Sequence, residues 1–250
     1  MHRFMQATME ILDRQEYVSW KLPKNWHVIL TTNPDNGDYN VTSLDVAQKT
    51  RFISTELKFD INVWAKWAEL ANIDGRCINF MLMHPELVTQ RINPRAITTF
   101  FNGISSIPKF EDNLPIIQMI GEGSVGSDFA AMFTMFINNK LDRIISPEDT
   151  LTKDEAYVMG ALSSAVGKDN DFRADISSII ATRLINYSLV FAEKKAIPAP
   201  MIQRIIKLTT DCDAFTDDLR YYMIKEIVNG NKVKFAPLMM NQNVVKMAVK

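Results

Sequence analysis

The sequence predicts a mostly α-helical protein that opens with a short α/β segment. From residue 60 onward, apolar side chains recur at helical spacing, with capping residues or prolines at the ends of the runs. Before that point, His27-Val28-Ile29-Leu30-Thr31-Thr32 is apolar at its centre and rich in β-branched residues, the pattern of a strand buried on both faces. A turn, a short helix and Arg51 follow it, an order of parts that suggests nucleotide chemistry at the carboxyl edge of a strand.

The elements can be justified in order. Phe4, Thr8, Ile11 and Leu12, with Met5 and Met9 beside them, predict an amphipathic helix over residues 3–15. Val18 and Trp20 to Leu22 suggest a short extended piece, and Pro23, Lys24 and Asn25 a turn. The strand over 27–32 needs neighbours, expected from preceding sequence or from another polypeptide. Asn33-Pro34-Asp35-Asn36-Gly37-Asp38-Tyr39 is turn chemistry throughout. Thr42 with Asp45 resembles a capping box and predicts a short helix through Leu44, Ala47 and Lys49, with Arg51 near its end. Phe52, Ile53 and Phe59 then read as an extended return.

Asp60 is a cap for a helix with the stripe Val63, Trp64, Trp67 and Ala71, and a second helix covers Cys77 to Met83 before Pro85. Asn93 caps the next helix and Pro94 takes its first position, so Arg95 leaves the first turn of a run through Ile97, Phe100, Phe101 and Ile104. Pro115 to Ile120 leads to a glycine loop at 121–126, followed by a helix with Phe129, Phe133, Phe136 and Ile137 on one face. Pro147 breaks the pattern. Helices are then predicted from Lys153 to Val166, Asp171 to Lys195, Pro200 to Thr210 and Phe215 to Val228, while the final stretch, rich in Met, Val, Asn and Lys, is left unassigned. The expected domains are 1–59, 60–148 and 149–250.

With 47% hydrophobic and 23% charged residues, the chain can bury a real core. Its 28 basic and 29 acidic residues leave a net charge of −1, no general reason to bind nucleic acid or an anionic membrane. Cys77 and Cys212 lack CxxC spacing, which points to buried or unpaired thiols in a reducing compartment. The amino terminus lacks the apolar core of a secretory signal, and no apolar run reaches the ~18 residues of a membrane span. A soluble, cytoplasmic protein is the expectation.

Three motifs carry a family resemblance. TTNPDNGDY around Asn33, LDVAQKTRF ending in Arg51 and Phe52, and NPRA around Arg95 resemble the MoxR-type branch of the AAA+ ATPases, in order and spacing, over about residues 1 to 135. The resemblance implies that residues 1–59 are the carboxyl-terminal part of an AAA+ α/β core, 60–148 a helical lid and 149–250 a helical extension. It implies ATP and Mg²⁺ as cofactors. Asn33 would be sensor 1, its amide orienting water toward the γ-phosphate; Arg51 the arginine finger acting on a neighbouring subunit; and Arg95 sensor 2, reaching the γ-phosphate within the same subunit. Asn33 also reads as a turn-forming residue before proline, Arg51 as a solvated helix-end arginine, and Arg95 as a member of an ordinary salt bridge.

The departures are as informative. Thr50 stands where this branch commonly has Asp, and the sequence contains neither GxxxxGK[ST] nor a strand ending in an Asp-Glu pair. ATP hydrolysis is therefore expected only with a polypeptide carrying those parts, in a homo-oligomeric ring or with a complementing ATPase half, and coupled to remodelling of a protein client. A non-catalytic helical adaptor derived from an ATPase is the alternative. Other features have plainer readings. Gly121, Gly123 and Gly126 match GxGxxG but lack a βαβ unit, so a turn joining lid helices is expected. His2, His27 and His84 have no metal-site spacing, and Lys232 and Lys234 are candidates for touching an anionic partner.

Overall fold

A computed structural model describes residues 2–33, 41, 46–89, 92–139 and 144–249. The chain divides into two compact units, Met1–Lys58 and Phe59–Lys250.

In the first unit, α1 (His2–Arg14) packs on an antiparallel hairpin of β1 (Glu16–Tyr17) and β2 (Trp20–Lys21), with Tyr17 opposite Trp20. The short extended piece at Trp20 thus pairs backwards onto Tyr17. The strand predicted over 27–32 does not form: residues 26–33 are irregular, and Ile29 is 85% and Leu30 45% exposed. The reason is pairing. An isolated strand leaves its N–H and C=O groups to water and its apolar faces uncovered, and among the described residues β1 and β2 make the only sheet. The extended return at 53–59 is also irregular, with Ile53 and Leu57 fully or nearly fully exposed. The short helix α2 (Val46–Lys49) is present; Thr42 and Asp45 of its expected capping box, and residues 34–39 of the loop, lie outside the described residues. Thr8 is the one buried residue among those of this unit whose side chains are described.

The second unit is helical throughout its regular structure. Asp60 caps α3 (Ile61–Leu70) by accepting from the N–H groups of Asn62 and Val63, and Asp74 caps α4 (Gly75–Met83) through Arg76 N–H. Each such cap stabilises by about 1 kcal/mol. The buried face of α3 differs from the expected one: Trp64, Ala65 and Ala68 are buried, whereas Val63 is 67% and Trp67 45% exposed. Trp64, Ala65 and Ala68 share one face at helical spacing, and Val63 and Trp67 fall outside it.

Around these helices, α5 (Pro94–Ile104), α6 (Leu114–Ser124) and α7 (Ser127–Asn138) complete an aromatic core. Phe80 sits at its centre, its ring edge-on to Phe129, Phe133 and Phe136 at 5.2, 5.0 and 5.4 Å. The predicted glycine loop is not there. The helix α6 runs through Gly121 and Gly123 to Ser124, and the turn is confined to Val125 and Gly126, the latter at φ 94°. Packing explains Gly121: a Cβ there would lie 2.7 Å from the Ala130 Cβ of α7.

A second apolar core belongs to α8 (Pro147–Thr152), α9 (Glu155–Val166), α10 (Ala174–Lys194), α11 (Ala199–Thr210), α12 (Asp217–Gly230), α13 (Ala236–Met239) and α14 (Gln242–Val249). Pro147 begins α8 instead of breaking the chain, because the first helical position has no N–H to lose, and Ser146 caps it. α10 is the centre of this body, buried on most of its circumference from Ile176 to Ala192. Lys234, one of two candidates for touching an anion, donates to the carbonyls of Ala192 and Lys195 at the carboxyl end of α10. The short helices α13 and α14 occupy the end that the sequence left unassigned, with Leu238 and Val244 buried.

Among the described residues, no helix is long and apolar enough to cross a membrane.

Candidate nucleotide-sensing residues

Arg95 owes its place to the two residues before it. Asn93, in extended conformation, accepts the Ala96 N–H at 3.0 Å, and Pro94 fills the first helical position with its fixed φ. Arg95 is therefore the second residue of α5. Its side chain is exposed and forms no ion pair among the described residues. The Ala96 and Ile97 N–H groups of this first turn are already taken by Asn93, so what the helix end adds beside the guanidinium is the positive end of its dipole, which favours an anion, phosphate included.

Arg51 follows α2 and is already engaged. Its Nε donates to both Asp13 carboxylate oxygens, at 2.8 and 3.0 Å, and its Nη1 donates to the Ala47 carbonyl at 2.5 Å. The Arg51 hydrogen bond holds the Asp13 carboxyl below the usual range, and the charges of Arg51 and Arg14 add to it. Both partners are well exposed, so the pair can exchange with solvent or with another anion.

Asn33 is exposed at the end of the irregular stretch, and its backbone carbonyl accepts the Thr32 hydroxyl at 3.1 Å. Asn33 and Arg51 belong to the first unit and Arg95 to the second. A cleft of about 690 Å³, lined by Ile145, Asp149, Tyr157, Ser164 and Arg173 among others, contains none of the three.

No family model, curated protein or solved structure matches the chain.

The donor sets can be tested against the group that the three motifs imply. An exposed guanidinium and a carboxamide are suited to phosphate oxygens and to a water molecule. Magnesium is different: among the described residues no three His, Cys, Asp or Glu side chains come together. The guanidinium groups and the carboxamide have the chemistry of partners for phosphate oxygens and water, and none of the three is itself a magnesium ligand of the carboxylate kind. Asp13 as the partner of Arg51 was invisible to sequence reasoning, because 38 residues separate the two and no motif joins them.

Proposed function

We propose that the chain supplies the sensing and trans-activating residues of a MoxR-type AAA+ ATPase. The observation that carries this reading is Arg95: a cation fixed on the second position of a capped helix, exposed and without an ion-pair partner among the described residues. Its support is the occurrence of Asn33 and Arg51 in the matching order upstream.

ATP with Mg²⁺, when bound, supplies a transferable γ-phosphoryl group. Arg95 would neutralise charge on that phosphate within its own subunit, and Asn33 would accept from and donate to the attacking water, holding it in line. Arg51 would act on the neighbouring subunit, where a guanidinium meets charge developing in the transition state. To do so it must leave Asp13, and the exposed position of that pair makes the exchange inexpensive. Lid motion would then remodel a protein client. Phosphate cradle and metal-binding carboxylates must come from another polypeptide segment.

The test is reconstitution. Mixed with a polypeptide carrying the phosphate loop and the acidic strand, the chain should restore ATP turnover, and Arg51→Ala should reduce it by roughly 10³-fold or more. Absence of turnover, or turnover indifferent to Arg51→Ala, refutes the proposal.

A second reading, a non-catalytic helical interaction module, draws on exposed Ile116, Met119 and Met135 of α6 and α7, the last of which lines a shallow groove with Leu114, Pro115, Gln118, Thr134 and Asn138. It requires Asn33→Ala and Arg95→Ala to change nothing in the reconstituted assay.

A further inference from the structure

We propose that the carboxyl end of α10 and the turn seated on it form a basic docking surface for an anionic lipid membrane. Lys234 Nζ donates to the carbonyls of Ala192 and Lys195, which holds the turn from Asn231 to Phe235 against the end of α10. The turn is itself pinned: the Lys234 N–H donates to Asn231 Oδ1 and the Phe235 N–H to the Asn231 carbonyl, each at 3.1 Å, and the Phe235 side chain is buried. Lys194, Lys195, Lys232 and Lys234 are thereby gathered at one place, all of them exposed.

Little negative charge opposes them. Glu193, beside Lys194, is already paired with Lys66 of α3 at 3.3 Å. No Asp or Glu occurs from 194 to 210 or from 227 to 250, and the nearest acid before the turn in sequence is Glu226 on α12. The whole chain carries a formal charge of −1, so the remainder is net acidic. An anionic surface therefore attracts this end and repels the rest, which sets the direction of approach.

The choice of lipid rests on what sits among the lysines. Val233, between Lys232 and Lys234, is 86% exposed. An apolar side chain flanked by two ammonium groups suits the boundary between headgroups and acyl chains, where it leaves water while the charges stay with the headgroups. Nucleic acid calls for other chemistry. All four cations are lysines, point charges without the bidentate fork of arginine, and the aromatic residues here, Phe191 and Phe235, are half-buried and buried, so neither offers a free face to a base. An acidic peptide would need a trough, and neither the cleft beside Arg173 nor the groove beside Leu114 includes these residues. The proposal does not depend on the ATPase reading.

Vesicles test it, with the full chain. The protein should co-sediment with phosphatidylcholine vesicles containing about a third phosphatidylserine, stay in solution with phosphatidylcholine alone, and be released as salt rises. Each lysine at such a surface contributes roughly fivefold in affinity, so Lys194→Gln, Lys195→Gln and Lys232→Gln together should weaken binding by about a hundredfold. Lys234 is left in place because it holds the turn. A polarity-sensitive fluorophore on Val233→Cys should brighten on the anionic vesicles; Cys77 and Cys212 are buried and stay unlabelled in the folded chain. No sedimentation with anionic vesicles refutes the proposal, as does sedimentation that the triple variant leaves unchanged. A fluorophore that stays dim on bound protein places the contact elsewhere and refutes it too. Tighter binding to duplex DNA or to polyglutamate than to the vesicles, lost in the triple variant, overturns the choice of lipid.

Discussion

Gly121→Ala and Gly123→Ala should shift stability in opposite directions, although they are two residues apart in one helix. At Gly121 the new Cβ would stand 2.7 Å from the Ala130 Cβ, 3.2 Å from Phe100 Cε2 and 3.3 Å from the Ala130 Cα. Two of those atoms belong to a neighbouring helix whose backbone must move. Overpacking of this kind costs ~1–3 kcal/mol, offset by up to ~1 kcal/mol from replacing a helical glycine. The net expectation is a loss of about 1–2 kcal/mol. At Gly123 nothing lies within 4 Å, so only the propensity gain remains, about 0.5 kcal/mol so close to the helix end. Urea unfolding followed by circular dichroism measures both. For a unit of this size, Gly121→Ala should lower Tm by roughly 2–8 °C and Gly123→Ala should raise it slightly. If both raise it, the close approach of α6 and α7 is wrong. If Gly123→Ala lowers it, α6 does not run through the glycines and a loop occupies 121–126.

Three further outcomes follow from the same reasoning. Asp13, followed by carbon NMR, should titrate below the ordinary carboxylate range, and Arg51→Ala should raise its midpoint toward that range; a midpoint unmoved by Arg51→Ala refutes the assignment. Because the folded pKa is lowered, the pair contributes above the unfolded pKa and its contribution disappears as pH falls through the folded value. Asn93→Ala should destabilise α5 by about 1 kcal/mol in urea unfolding, since the Ala96 N–H loses its acceptor, and Asn93→Asp should restore most of it. Cys77 should resist iodoacetamide at mildly alkaline pH in the folded protein and react on unfolding, because complete burial pushes its thiol well above the usual range; rapid modification without unfolding contradicts this.

What could be read locally was read well. Asp60, Asn93 and Pro94 cap and begin helices where their side-chain chemistry says they should, and the Phe129, Phe133, Phe136 and Ile137 face is buried as its spacing requires. The buried stripe of α3 keeps Trp64 but passes through Ala65 and Ala68 and leaves out Val63 and Trp67, because burial is set by which face the neighbouring helices cover and size alone does not specify that face. Pro147 read as a break, since one residue type serves both to stop a helix and to start one. The stretch 27–32 has the composition of a strand, but pairing is a property of two segments, and no second segment stands beside it among the described residues.

The candidate site divides in the same way. Asn33, Arg51 and Arg95 are visible as motif positions, and the placement of Arg95 in a first helical turn follows from its neighbours alone. That Arg51 spends its charge on Asp13, or that Lys234 caps α10, follows from no local pattern. By itself the sequence determined the helical character, the caps and the order of the three sensing candidates, because each rests on interactions within a turn or two of the chain. Only the tertiary structure decided that Arg183 would meet Glu69, 114 residues away, and that Gly75 would leave it room. Such a contact depends on where packed helices bring the chain together, and no local preference contains that path.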